Sequence, residues 1–146
     1  MKLSSSAFEN GEAIPREYTC DDADVSPQLM FSDIPENAKS LALIMDDPDA
    51  PMGTWVHWVI WNIQPNTTGF PKGENITFPQ GRNDFGNVNY GGPCPPPGHG
   101  THRYFFKLYA LDTMLNLKEG ATKKQLESAM SGHILEEAQT MGTYSR

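Results

Sequence analysis

Short apolar segments separated by proline and glycine fill the first two thirds of the chain. Residues 40–45 form a nearly continuous apolar run, and residues 55–63 carry apolar side chains on both alternating faces, interrupted at His57. Both patterns predict strands that are buried on two faces, and residues 103–111 are a third predicted strand. Two shorter candidates are residues 29–31 and 76–78. A mainly β fold follows from these segments, because the prolines and glycines between them leave no room for long helices.

The C-terminal segment has a helical pattern instead of an alternating one. Thr122 and Gln125 form a capping-box pair at its start. Apolar side chains then recur at helical spacing, at Leu126, Met130, Ile134, Ala138 and Met141. We therefore predict one C-terminal helix that ends at Gly142, packs its apolar face on the sheet and has His133 at the edge of that face.

Composition and charge narrow the class of protein. A chain of 146 residues fits one domain, which we expect to span residues 1–146. The formal net charge of −7 argues against binding to nucleic acid or to an anionic membrane surface. No apolar stretch is long enough to cross a bilayer, and the first residues contain no hydrophobic signal segment. We expect a cytoplasmic protein without integral membrane association.

The two cysteines, Cys20 and Cys94, lie far apart in the chain. They belong to no Cys-x-x-Cys or Cys/His ligand pattern, which argues against a structural zinc site. Free buried thiols are the default interpretation of the pair, and a single disulfide is the alternative. Neither these residues nor any other motif calls for a cofactor.

Residues 91–100 form the most unusual segment of the chain, because eight of the ten are proline or glycine. Neither a strand nor a helix can form there. A surface linker is the plain explanation, but long, stiff loops inside one compact domain are often functional. Backbone amides of residues 98–101 are candidates for an anion-binding concavity.

Acidic residues gather at the end of the first predicted strand. Asp46, Asp47 and Asp49 follow it on a turn that two prolines stiffen. If the next strand returns beside the first, His57 comes close to Asp47. Asp47 has an equally good structural explanation, in which it caps the turn through hydrogen bonds to backbone amides.

His102 and Tyr104 lie two residues apart on the third predicted strand and therefore share a face, which Phe106 and Leu108 continue into the core. Taken alone, Tyr104 would be an aromatic residue of a half-buried strand, and His57 would be a core histidine. Two imidazoles, a carboxylate and a phenol beside a stiff loop nevertheless favour a binding or catalytic site.

Four short motifs occur in order along most of the chain. They are Asp46-Asp47-Pro48-Asp49-Ala50-Pro51, Trp55-Val56-His57-Trp58, Tyr90-Gly91-Gly92-Pro93-Cys94-Pro95-Pro96 and His102-Arg103-Tyr104. Together with the closing Met141-Gly142-Thr143-Tyr144, they resemble the phosphatidylethanolamine-binding protein family, and most of all its prokaryotic, Raf-kinase-inhibitor-like branch. The resemblance implies a mainly β fold with a central antiparallel sheet, a second smaller sheet and peripheral helices.

The resemblance also implies a pocket for a small phosphorylated or carboxylated ligand. Its ligand-binding residues would be Asp47, Pro51, Trp55, His57, Cys94, Pro96, His102 and Tyr104. Residues 94–96 would form its lip. Arg103 points the other way by strand alternation, so we expect it in a structural ion pair. A kinase or a protease is a candidate partner, and the family resemblance adds the expectation of a homodimer.

We expect a binding and regulatory protein, not an enzyme, whose affinity for anions weakens as rising pH removes charge from the histidines. A serine proteinase inhibitor is the main alternative. A hydrolase would use Asp47 with His57 or His102 as acid and base, but the sequence has neither a Gly-x-Ser-x-Gly elbow nor a P-loop. A metal site would combine Asp47, Asp49, His57, His99 and His102. Whether the bond between Ala50 and Pro51 is cis stays open.

Overall fold

The computed structural model describes all residues, 1–146, as two antiparallel sheets with one α-helix. In chain order the elements are β1 (Lys2–Ser4), a 3₁₀ turn (Arg16–Tyr18), β2 (Leu29–Ser32), β3 (Ser40–Asp47), β4 (Trp55–Ile63), β5 (Gly69–Phe70), β6 (His102–Leu111), α1 (Lys123–Met130) and β7 (Ile134–Tyr144). The smaller sheet has the order β1-β2-β5, and the larger sheet has the order β4-β3-β6-β7. The prediction of a mainly β fold with a central and a smaller sheet is confirmed.

The larger sheet is built around β3, which is buried at all eight of its positions. Its side chains alternate between two cores, because successive residues of a strand point to opposite faces. Leu41, Leu43 and Met45 belong to the core shared with the smaller sheet. Ala42 and Ile44 belong to a second core, which α1 covers. A central strand with a layer on each face explains why the sequence is apolar at consecutive positions.

Of the five predicted strands, four are confirmed, and the one at residues 76–78 is wrong. These residues lie in an irregular segment beside the edge of β4, where Gln80 makes an isolated bridge with Ile60. A few apolar residues define no period, so the segment packs against the core without joining a sheet.

The prediction of a helix that continues to Gly142 is wrong beyond Met130. Thr122 and Gln125 do form the capping box, but α1 ends after eight residues. Gly132 follows with φ of +82°, the left-handed conformation that commonly terminates helices.

The residues after this turn form β7, which pairs with β6 along its whole length. An edge strand needs few apolar residues, so its apolar pattern is sparse. Ile134, Ala138 and Met141 therefore match a helical spacing as well as that of a strand. Gly142 stops no helix, and its lack of a side chain lets Ile14 and Phe8 pack against the strand. His133 lies just before β7, half-exposed and paired with Asp112.

Cys20 and Cys94 form a disulfide, so the default interpretation of free thiols is wrong. The bond ties an early loop, residues 19–28, to the Pro/Gly-rich segment 91–100. Every peptide bond is trans, including the one between Ala50 and Pro51. No helix has the length and apolar content needed to cross a membrane.

Candidate functional site

A cavity of about 290 Å³ opens where β3, β4 and β6 end beside the Pro/Gly-rich segment. Its polar floor consists of the buried side chains of Asp47, His57, His102 and Tyr104. Its apolar rim consists of Ala50, Pro51, Met52, Trp55, Phe85, Cys94, Pro95 and Pro96. All eight residues predicted to bind a ligand line this cavity, although their binding of a ligand stays a prediction.

Asp47 is the last residue of β3 and is only 3% exposed. Its Oδ1 accepts a hydrogen bond of 2.7 Å from the backbone N–H of Asp49, and its Oδ2 lies 2.7 Å from Nδ1 of His102. The two interpretations of Asp47 are therefore compatible, because one side chain caps the turn and also faces the cavity. These contacts offset the high cost of burying a carboxylate.

His57 presents a hydrogen-bond acceptor to its surroundings when it is neutral. Its Nδ1 lies 2.6 Å from the carbonyl oxygen of Gly91. Because a carbonyl oxygen only accepts hydrogen bonds, Nδ1 carries the hydrogen and Nε2 carries the lone pair. Burial lowers the pKa of His57, against the opposing effects of the Gly91 carbonyl and of Asp47. The ring is therefore mostly uncharged at neutral pH.

Tyr104 contributes a hydroxyl group that keeps its proton. Burial raises the pKa of Tyr104 far above its usual range, and the nearby Asp47 carboxylate raises it further. Its ring lies edge-on to His57, with 5.2 Å between the ring centroids. The phenol therefore stays an O–H donor of the floor at ordinary pH, because its own pKa lies far above that range.

His102 is fully occupied by protein partners. Besides the contact of Nδ1 with Asp47, its Nε2 lies 2.7 Å from Nδ1 of His99. His99 itself is exposed and belongs to the segment 91–100. The sequence named the His99 side chain only as a candidate metal ligand and its backbone amide as part of an anion-binding concavity. The place of the side chain beside His102 is a feature that the sequence did not reveal.

Several contacts besides the disulfide hold the chain just before the rim residue Cys94 against the early part of the chain. The backbone N–H of Cys20 donates to the carbonyl of Pro93, and the backbone N–H of Gly92 donates to a carboxylate oxygen of Asp24. The Tyr90 hydroxyl donates to the carbonyl of Tyr18. These contacts hold residues 90–94 in place although this part of the chain has no regular secondary structure.

The predicted anion-binding concavity of residues 98–101 is wrong for half of its amides. The N–H of Gly98 donates to the carbonyl of Arg146, and the N–H of His99 donates to the carbonyl of Pro96. None of these four residues lines the cavity. The segment contributes to the site through its prolines and its disulfide instead.

Arg103 makes the structural ion pair that strand alternation predicted. Its guanidinium group binds both carboxylate oxygens of Asp49, at 2.8 and 2.9 Å. These hydrogen bonds lower the pKa of Asp49. The pair lies on the outside of the site and fixes the turn that follows Asp47.

The comparisons with known proteins agree with this geometry. The sequence profile of the phosphatidylethanolamine-binding proteins matches residues 4–145. The chain belongs to the phosphatidylethanolamine-binding protein family. It is 53% identical to a UPF0098 protein of Pyrococcus horikoshii, over 97% of this chain and 75% of that protein.

Two solved structures of this family share the fold. A phosphatidylethanolamine-binding protein homologue from Chlamydia trachomatis is 45% identical, with a TM-score of 0.95 over 99% of this chain and 97% of that chain. YbcL of Escherichia coli, described as a new member of the mammalian family, is 30% identical, with a TM-score of 0.92 over 99% and 98% of the two chains. The family resemblance of the four motifs is thereby confirmed.

Three rim residues were not predicted from the sequence: Ala50, Met52 and Phe85. Phe85 packs edge-on against both Trp55 and His57, with ring centroids 5.5 and 5.4 Å apart. It lies in a polar, irregular stretch, where a single aromatic residue carries no periodic signal. In the structure the Phe85 side chain is half-exposed and Met52 is almost fully exposed. This exposure of large apolar side chains is the signal that marks the rim, and it is visible only in the structure.

The side chains of the metal-site hypothesis are not arranged around a common point. No group of three or more His, Cys, Asp and Glu side chains is placed to hold a metal ion. Asp49 is turned outward to Arg103, and His102 is bonded through both ring nitrogens. The arrangement is that of a chain of hydrogen bonds.

Proposed function

We propose that this protein binds a small phosphorylated or carboxylated ligand in the cavity and acts through that binding as a regulatory protein. The observation that carries the proposal is the composition of the cavity, in which a polar floor with titratable side chains lies under an apolar rim. Ligand sites commonly combine an apolar wall with a few convergent polar groups.

The floor suits an anion best when it has gained a proton. Tyr104 supplies one O–H donor, and His57 supplies an N–H donor from Nε2 only in its charged form. Because burial lowers the pKa of His57, the empty site holds little positive charge at neutral pH. Binding of an anion therefore takes up a proton, and affinity increases as the pH falls.

Asp47 selects among anions by its own negative charge. A dianion next to this buried carboxylate would be repelled, whereas a ligand that brings a proton or an ammonium group would be favoured. Trp55 offers a further contact, because its indole N–H is the buried side-chain group that has no hydrogen-bond partner. The site thus favours compact ligands with both acceptor and donor atoms.

Protein-detected NMR, with labelled histidines, tests the proposal. We expect phosphate, phosphoethanolamine, phosphotyrosine or acetate to cause saturable shifts of His57 and His102, with affinity that decreases from about pH 5 to about pH 8. Tyr104→Phe, which removes only the hydroxyl, should weaken binding about tenfold. His133→Ala, far from the cavity, is the matched control. No saturable shift with any of these ligands at millimolar concentration would refute an anion pocket.

No structural observation favours a proteinase inhibitor, a kinase partner, a hydrolase or a homodimer over simple ligand binding, and these stay predictions. Cytoplasmic location also stays a prediction. The Cys20–Cys94 disulfide counts against it, because such bonds are rare in reducing compartments outside hyperthermophiles.

A further inference from the structure

His102 lines the cavity but has no ring nitrogen free for a ligand. Its Nδ1 lies 2.7 Å from the Asp47 carboxylate, and its Nε2 lies 2.7 Å from Nδ1 of His99. Both contacts are short enough to be full hydrogen bonds. A ligand that uses His102 must therefore displace one of these two partners.

His99 is the partner that can leave. The Asp47 carboxylate is buried and is also held by the Asp49 amide, so it cannot turn away cheaply. His99 is exposed, and the bond to His102 is the single hydrogen bond of its ring. Gly98 and Gly100 flank it with φ of +78° and +98°, and no atom lies within 4 Å of the place where either would carry a Cβ, so the His99 side chain has room to rotate outward while its backbone stays hydrogen-bonded.

We propose that His99 occupies the place on His102 that a ligand oxygen takes, so that it determines which ligands the cavity accepts. This inference rests on the proposed function, since it concerns the same cavity. Swinging His99 outward frees Nε2 of His102 and adds an N–H donor to the floor once that nitrogen is protonated. Ligands with a strongly charged oxygen displace His99, and weak acceptors do not.

The bond between the two imidazoles also has a defined dependence on pH. Only one hydrogen fits between two nitrogen atoms 2.7 Å apart, so the bond breaks when both nitrogens carry a proton. The charged and titratable groups around the pair are Asp47 at the end of β3, Asp49 in the turn after it, His57 on β4, Tyr104 on β6, and Tyr144 and Arg146 at the end of the chain. The bond therefore needs one of the two nitrogens to be free of hydrogen.

The first test compares the affinity for inorganic phosphate of the unmodified protein, His99→Ala and the control His133→Ala. Both variants remove one exposed histidine, but only the first removes the competitor. We expect His99→Ala to bind phosphate about three- to tenfold more tightly near neutral pH. Unchanged or weaker binding would overturn the inference, and weaker binding would make His99 a ligand contact.

The second test needs no ligand. Diethyl pyrocarbonate acylates accessible imidazole nitrogens, so its rate at His102, followed by peptide mass spectrometry, reports whether Nε2 is covered. We expect slow modification in the unmodified protein and in His133→Ala, and at least about tenfold faster modification in His99→Ala. Equal rates in all three would show that His99 does not cover Nε2.

The two tests separate the two proposals. If neither the unmodified protein nor His99→Ala binds phosphate, phosphoethanolamine, phosphotyrosine or acetate, the proposed function fails, and competition for His102 fails with it, even where the acylation rate changes. If the unmodified protein binds phosphate and His99→Ala binds no better, the proposed function stands and only the role of His99 is refuted.

Discussion

Two adjacent residues, Asp46 and Asp47, are both buried carboxylates, yet they lie on opposite faces of the central sheet. Asp46 faces the core under α1, where Lys123 and Lys107 reach it at 2.7 and 3.3 Å. Asp47 faces the cavity, where its partner is the imidazole ring of His102. One carboxylate is thus held by two permanent cations, and the other by a hydrogen bond to an imidazole ring.

The difference separates a structural ion cluster from a candidate site. Lysine stays charged throughout the physiological pH range, so the Asp46 cluster fixes α1 against β3 and β6 at any such pH. His57 also lies near Asp47, and its pKa is lowered by burial, so the charge around Asp47 changes when this ring takes up a proton at lower pH. Helix α1 closes the face of the sheet that carries Asp46. The face that carries Asp47 stays open to the cavity, and its shape depends on the rim that the disulfide holds in place.

The largest expected effect concerns the open face, where the disulfide holds the rim. Replacing both Cys20 and Cys94 by serine should lower the free energy of unfolding by about 4 kcal/mol, because the bond closes a loop of 74 residues. Urea denaturation measures the loss, and reduction of the unmodified protein should reproduce it. A loss below about 1 kcal/mol would mean that the hydrogen bonds of the rim suffice without the disulfide.

The comparison of the two carboxylates comes next in size. Asp46→Asn should cost about 2–3 kcal/mol in the free energy of unfolding, because it leaves two ammonium groups beside a buried, uncharged amide; their partial exposure limits the loss. Asp47→Asn should cost about 1 kcal/mol or less, because the Nδ1–H group of His102 can still donate to the asparagine oxygen. Urea denaturation at neutral pH measures both.

Asp112→Asn is the control for these two variants. Asp112 and its partner His133 are both half-exposed, so the change should stay within about 0.5 kcal/mol. Equal losses for Asp46→Asn and Asp47→Asn would contradict the distinction between permanent and titratable partners.

The sequence revealed the central strands because burial on both faces leaves a strong signal. Residues 40–45 and 55–63 are apolar on both faces, and the structure places them in β3 and β4. The site residues lie at the ends of these strands, so correct strands and family motifs together brought all eight to one cavity. An alternation pattern carries no information about the packing of loops. Phe85 was therefore missed, and the role of His99 was predicted wrongly.

The failure in the C-terminal segment has a different physical cause. β7 is an edge strand, and its few apolar residues fit a helix as well as a strand. Ten residue pairs with β6 decide the conformation, and such long-range pairing is invisible in local spacing. Gly132 was the available local signal, because a glycine directly after Ser131 suits a helix end.

The smallest expected effect is the contribution of His57 to the pH dependence of stability. Burial lowers the pKa of His57 in the folded protein, so the unfolded chain takes up a proton first as the pH falls below about 6.5. The contribution to stability is therefore complete above that pH and is lost toward pH 5. His57→Asn should flatten this slope, since asparagine can still donate to the Gly91 carbonyl but does not titrate.

Carboxylates with a lowered pKa, such as Asp49, affect stability only at lower pH and do not contribute to the slope in this pH range. Urea denaturation at several pH values measures the slope, with the half-exposed His133→Asn as the control. A slope as steep in His57→Asn as in the unmodified protein would mean that the open face is not the part of the molecule that responds to pH.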